Sequence, residues 1–281
     1  MKRREFVKSS IAAPLVAGST SLTALAGLSG SPSNLRADSS SQDAGGGKPE
    51  YYELRLYHLK RGPQVKRIND FFRDVALPAM TRNGLGPIGV FDVLMGPDSP
   101  TLYMLIPHKS MDSFATASAR VNADAEYQKA GAGFLNASPT DPGYSRIESS
   151  LMVAFDGMPK LEVPAAAAGN KPRIFELRTY ESHSKKANKK KIEMFHKGEI
   201  GIFRRAGLQP VFFGETLIGT KLPNLTYMVT VENLAAREKN WAAFVADPEW
   251  KKLSSLPEYT DSEIVSNITN TLLRPTAYSQ I

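Results

Sequence analysis

The chain is one unit written twice, and that repeat constrains its fold more than any single motif does. Tyr52-Glu53-Leu54-Arg55-Leu56-Tyr57 returns 123 residues later as Phe175-Glu176-Leu177-Arg178-Thr179-Tyr180. From Tyr52 to Pro100 the offset holds without a gap, and 13 of those 49 positions are identical. Unrelated segments of ordinary composition share about three. Further on, Tyr103-Met104 matches Tyr227-Met228 if one residue is inserted, and Asp124-Ala125-Glu126-Tyr127 meets Asp247-Pro248-Glu249-Trp250 back at the original offset. An alanine-rich link over 161–171 separates a first unit, 50–160, from a second, 172–276.

Each copy spells the same elements. A strand of period two (51–58; 173–181) precedes an amphipathic helix carrying Val65, Ile68, Phe72, Val75 and Met80 in one copy, and Ile192, Phe195, Ile202 and Ala206 in the other. Pro78, and Gly198 with Gly201, are expected to interrupt that helix at matching places. Gly84 and Gly207 stand where a helix end calls for a left-handed residue. Two hairpin strands follow (87–95 with 101–107; 210–218 with 225–231), then a second helical region (110–130; 234–256) and a closing strand (146–155; 262–273). Asp247-Pro248 reads as an N-cap followed by a first-turn proline, restarting a helix. The order β-α-β-β-α-β is the ferredoxin-like unit. The expected fold is α+β, with two tandem ferredoxin-like units stacked bare face to bare face as a pseudo-dimeric barrel.

Strand alternation separates Tyr52, Leu54 and Leu56 from Glu53, Arg55 and Tyr57, and Phe175, Leu177 and Thr179 from Glu176, Arg178 and Tyr180. Packing the apolar set on each unit's own helices points both Glu-x-Arg-x-Tyr sets into the enclosed barrel. There they are expected to bind a polar or anionic ligand, or to form internal bridges that fix register, since an unpaired enclosed charge is costly. His196 lies three residues before Glu199 on the second copy's helix, a spacing that suits an acid–base pair. Lys185, Lys186, Lys189, Lys190 and Lys191 read as a solvated helical face.

The chain of 281 residues contains no cysteine and four histidines. That excludes disulfides, a cysteine nucleophile and thiolate metal sites, and no metal or cofactor is expected. No P-loop, G-x-S-x-G or H-E-x-x-H motif is present. Arg3-Arg4-Glu5-Phe6 with Lys8, a mildly apolar run over 11–28 and Ala24-Leu25-Ala26 resemble a twin-arginine export signal over 1–26. A Ser/Gly-rich tether follows over 27–49. Removing 1–26 takes away four bases and one acid, so the formal charge falls from +7 to +4 and the main argument for a nucleic-acid partner goes with it. The mature chain is expected in the periplasm or outside the cell, with no membrane span and with a homo-oligomer as one possible assembly.

Glu-Leu-Arg-x-Tyr on the first strand, Gly-Leu-x-Pro before the second and Asp-Pro-Glu-Trp in the helical region resemble the NIPSNAP family in both halves. The first copy departs from the last motif, with Asp124-Ala125-Glu126-Tyr127. The resemblance implies a dimeric α+β barrel with one NIPSNAP unit per half, and it supplies no agreed catalytic residues. Three functions remain open at this point. One is binding of a small polar or anionic ligand between the sheets. Another is a cofactor-independent enzyme of monooxygenase, isomerase or lyase type, and the third is an envelope interaction scaffold.

Overall fold

The computed structural model describes residues 47–281 apart from Asn170. The export signal over 1–26, and the tether over 27–49 up to its last three residues, lie outside the described residues. The first unit runs β1 (Tyr51–His58), α1 (Pro63–Phe71), α2 (Leu77–Arg82), β2 (Gly89–Met95), β3 (Thr101–His108), α3 (Met111–Asn122), α4 (Ala125–Leu135) and β4 (Arg146–Ala154). The second runs β5 (Ile174–Glu181), α5 (Lys185–Met194), α6 (Ile200–Arg205), β6 (Gln209–Ile218), β7 (Asn224–Val231), α7 (Leu234–Ala246), α8 (Pro248–Ser254), α9 (Asp261–Ile264) and β8 (Asn267–Pro275). Both units are α+β with the β-α-β-β-α-β order anticipated above, but β8 starts later because α9 takes its first residues.

The eight strands form one closed barrel in the order β1-β3-β2-β8-β5-β7-β6-β4. The halves thus close the expected pseudo-dimeric α+β barrel, joined edge to edge, with their helix-free faces meeting inside it. β2 pairs antiparallel with β8, and β4 with β6. Closure removes the two free edges that each unit would otherwise present to solvent. Because all neighbours are antiparallel, β1 and β5 run the same way, and both hairpins, β2–β3 and β6–β7, open at the same end of the barrel.

Local chemistry repeats with the fold. Asp124 and Asp247 cap α4 and α8, accepting from the amides of Tyr127 and of Glu249 and Trp250. Arg82 and Arg205, identical between the copies, each grip that capping aspartate at 3.0 and 3.1 Å. Gly84 and Gly207 adopt the left-handed conformation (φ 76° and 82°) that ends the preceding helix. The interruption expected at Pro78 and Gly198 takes the form of a wide π turn, at Phe72–Ala76 and Phe195–Glu199, again 123 residues apart. One sequence match does not survive. The ladder sets Met104 against Arg55 and Tyr227 against Arg178, so the offset stays at 123 through β3 and β7 with no inserted residue. The aligned tyrosines fall on opposite faces of the sheet: Tyr103 points into the barrel and Tyr227 under the helices.

Three apolar layers hold this arrangement. Each unit has one between its sheet and its helices, and the third fills the barrel with side chains from both halves, among them Tyr52, Leu54, Phe91, Phe175, Phe212 and Leu273. Phe91 of the first unit meets Phe175 of the second edge to face, 4.8 Å between centroids. The shared layer couples the units. Both tryptophans lie in the second unit, so their fluorescence reports that half alone. We expect Phe91→Ala, a change in the first unit, to lower the stability read by tryptophan fluorescence by about 3–5 kcal/mol, with far-UV circular dichroism following the same transition. Separate transitions would show that the halves unfold independently.

Candidate functional site

The polar sets on β1 and β5 face outward, toward each unit's own helices. This corrects the orientation expected from the sequence. Tyr52, Leu54, Phe175 and Leu177 fill the barrel instead, with Leu56 packed against them. The reason is coverage. The barrel interior is walled by strands alone and is best filled by apolar side chains, whereas on the outer face α7 and β8 bring donors to Glu176 and β4 brings Ser149 to Glu53. Alternation separates two faces but cannot say which of them the helices will cover.

In the second unit the carboxylate is fully satisfied. Glu176 accepts from Arg178 Nη1 (2.9 Å), Arg237 Nε and Nη2 (2.7 and 2.8 Å), Trp241 Nε1 (2.8 Å) and Asn270 Nδ2 (2.7 Å). Burial opposes ionisation of Glu176, but these donors outweigh it and hold its carboxyl below the ordinary range. The Trp241 indole lies against the Arg178 guanidinium, 4.6 Å from ring centroid to Cζ. Beside them, Lys191 and Glu199 form a buried ion pair at 2.9 Å, with the ammonium 5.3 Å from the Tyr180 ring and 5.0 Å from that of Phe195. Lys191 thus leaves the solvated lysine face that the sequence suggested. Burial raises the Glu199 carboxyl, and Lys191 offsets this only in part.

The anticipated His196–Glu199 partnership is not formed. His196 packs edge-on against Phe155, with Nε2 3.5 Å from the Gly157 amide, and burial lowers its pKa. Glu199 turns into the core toward Lys191. The π turn that holds both residues sends their side chains apart.

The first unit keeps the frame and omits the filling. At the repeat offset, Trp241 becomes Ser118, Arg237 becomes Phe114, Lys191 becomes Ile68, Glu199 becomes Ala76 and Val231 becomes His108. A cavity of about 130 Å³ results between β1, β3 and the helices. Its walls are largely apolar, including Phe71, Phe72, Met80, Met104 and Ile106. Arg55, Tyr57, His108, Ser118, Asn122 and Tyr127 supply the polar groups. Arg55 holds Glu53 through Nε and Nη2 at 2.6 and 2.9 Å, and Ser149 adds a third hydrogen bond at 2.9 Å. Burial works against the Glu53 charge, but His108, Arg55 and Ser149 reverse it and bring the pKa down to about 2. The Arg55 guanidinium is held by Glu53 in the cavity wall and stays fully charged. His108 is fully buried at the same wall, with Nε2 3.5 Å from a carboxylate oxygen of Glu53 and Nδ1 without a hydrogen-bond partner. A buried ring nitrogen with no partner is rare in a finished core.

The structure therefore brings Glu53, Arg55 and Tyr57 together at a cavity, and closes the cavity beside Glu176, Arg178 and Tyr180. Reading strand faces alone missed His108, Ser118, Asn122 and Tyr127. The signal for two of them was present in the repeat itself, in positions where the copies differ strongly in size or polarity: His108 against Val231 and Ser118 against Trp241.

The NIPSNAP family model matches residues 52–154 and 175–280. No curated protein sequence matches the chain. Among solved structures, a candidate monooxygenase of Fusobacterium nucleatum aligns with 81% of this chain and 93% of its own, at 7% identity and a TM-score of 0.53. Another from Lactobacillus acidophilus covers 81% and 94%, at 10% identity and 0.51. An uncharacterised NIPSNAP-like domain protein from Burkholderia xenovorans is 23% identical over 38% of this chain and 88% of its own, with a TM-score of 0.34. At such identities the two full-length likenesses show a common fold and nothing about chemistry.

The closed half generates its own prediction. Lys191→Ile alone leaves Glu199 buried without its partner and should cost about 3–5 kcal/mol in urea denaturation at neutral pH. The raised folded-state pKa of Glu199 fixes the sign of the pH effect. The variant recovers stability as pH falls through the raised folded-state pKa, completely so below the ordinary carboxylate value of 4.5, where Glu199 is protonated in both states. Adding Glu199→Ala, which copies the Ile68/Ala76 pair of the first unit, should recover most of the loss at neutral pH.

Proposed function

The chain belongs to the NIPSNAP family, and on that premise we propose that its first unit binds a small, flat, anionic or carbonyl-bearing molecule in the helix–sheet cavity. The observation that carries this reading is the broken pseudo-symmetry at Ser118, where the other unit carries the Trp241 indole that fills its equivalent space. A protein that needed only a stable core has that solution already in its own second half. Size supports the ligand class, since an apolar cavity of about 150 Å³ takes up benzene and this one measures about 130 Å³. The polar groups support it too. Arg55 offers a fixed planar cation for a carboxylate or enolate oxygen, while the aromatic and aliphatic walls suit a ring.

A second reading, an enzyme without a bound cofactor, rests on His108 in place of His196 and Glu199. Its ring stands at the wall beside Arg55 and Tyr57 with Nδ1 unpartnered, which suits proton transfer on a ligand whose developing oxyanion meets the guanidinium.

Benzoate is a suitable probe, followed by isothermal titration calorimetry. Ser118→Trp should abolish binding without loss of fold, and Arg55→Lys, which keeps the charge but loses the planar fork, should weaken it roughly tenfold or more. Benzoate bound equally well by Ser118→Trp would eliminate the cavity as the site. His108→Gln separates the two readings. It keeps ligand binding in both, but in an enzyme it lowers turnover of a screened substrate by about 10²–10⁴.

Export by the twin-arginine route is also proposed, supported by Arg3-Arg4 and the Ala24-Leu25-Ala26 cleavage pattern. Replacing both arginines with lysine should leave uncleaved precursor in the cytoplasm. Mass spectrometry of the exported wild-type chain should find a new N-terminus close after Ala26.

A further inference from the structure

The inside of the barrel changes character along its length. At one end it is packed with aromatic and aliphatic groups, and the side chain of Ile281 is fully buried there. At the other end, where both hairpins open, a well of about 210 Å³ remains, lined on one side by Thr179, Thr216, Thr226, Thr269 and Thr271. All five belong to the second unit. At the repeat offset, Thr179, Thr216 and Thr226 correspond to Leu56, Val93 and Tyr103, so much of the facing wall is apolar and aromatic, with Glu148 and Ser150 among its polar members. Barrel closure does not require Thr179, Thr216 and Thr226, since the first unit closes the same barrel with Leu56, Val93 and Tyr103 in their places.

The hydroxyls form a preset ring. Thr179 and Thr226 share a hydrogen bond of 2.9 Å, and Thr216 donates to Asn224 Oδ1 at 2.6 Å. Asn224 is fixed by the carbonyls of Thr220 and Lys221. A hydroxyl has one donor and two acceptor positions, so each threonine keeps capacity after these bonds. The rim carries more carboxylate than cation. Lys221 Nζ donates to Thr269 Oγ1 at 2.8 Å and lies 3.8 Å from a carboxylate oxygen of Glu181, and Asp98 occupies the matching position of the other hairpin. A free anion finds no unclaimed cation here.

We propose that this end of the barrel binds a neutral polyol of about monosaccharide size. The threonine wall takes its hydroxyl groups, and the Leu56–Tyr103 wall takes its C–H face. The well lies on the opposite side of β1 from the Arg55 cavity, so this assignment stands or falls independently of the one above. A polyol of this kind reaches the well either as a free sugar or as the glycosyl head group of a lipid. The exposed Met95 and Ile218, at the ends of β2 and β6, lie beside the opening.

Saturation-transfer NMR and calorimetry with methyl β-D-glucoside, myo-inositol and octyl β-D-glucoside test the proposal on the chain from residue 27 onward. The wild type should bind at least one of them. Thr179→Val/Thr226→Val removes both partners of one hydrogen bond together, which keeps the fold close to neutral in stability, and should weaken binding tenfold or more at an unchanged melting temperature. Thr271→Val, which touches neither partner of that bond, should also weaken it. Tighter binding of the octyl than the methyl glucoside identifies a lipid-linked sugar, and equal affinity a free one. The proposal is overturned if none of the three binds at up to roughly 10 mM, or if binding survives in both threonine variants.

Discussion

Each half of this chain builds a four-stranded sheet with two bare edges, and the rest of the structure depends on how those edges are satisfied. A strand edge exposes a row of amide and carbonyl groups, and two such edges on a unit of about a hundred residues invite aggregation. Here β2 meets β8 and β4 meets β6, so every edge is paired within one chain. That pairing encloses a space walled by strands alone. It forces the apolar faces of β1 and β5 inward and leaves the helices to cover the outer face. The outward position of Glu53, Arg55, Glu176 and Arg178 follows from closure.

Once outside, the carboxylates need donors, and the two units find them differently. Glu176 is surrounded by Arg178, Arg237, Trp241 and Asn270, and the space near it is filled. Glu53 relies on Arg55 and Ser149 with His108 alongside, because α3 carries Phe114 and Ser118 where α7 carries Arg237 and Trp241. The same backbone supports a solid layer on one side and a hollow one on the other. The reverse asymmetry holds inside the barrel, where the second unit supplies a threonine wall and the first a mainly apolar one. Each unit has given up its twin's solution at one place, and each concession opens a space.

Much of this was legible in the chain. The repeat gave two units, their strand and helix order, the capping aspartates and the left-handed glycines, because those features are set by neighbours a few residues apart. The pairing of Glu53 with Arg55 was legible too, as two residues apart on a strand they share a face. His196 and Glu199 misled because a spacing of three presumes a regular α-helix, and the π turn at Phe195–Glu199 breaks that geometry. Tyr103 and Tyr227 misled because identity was favoured over register, which a closed ladder enforces without exception here.

The sequence by itself determined the duplication, the element order and the alternation of side chains, since these rest on local backbone preference and a period of two. Only the tertiary structure decided which face of each sheet became the inside. That choice is made by closure, in which strands more than a hundred residues apart pair and one face loses all contact with water. It also decided that Ser118 borders a cavity while Trp241 fills one, for a side chain's effect on volume exists only once its neighbours are in place.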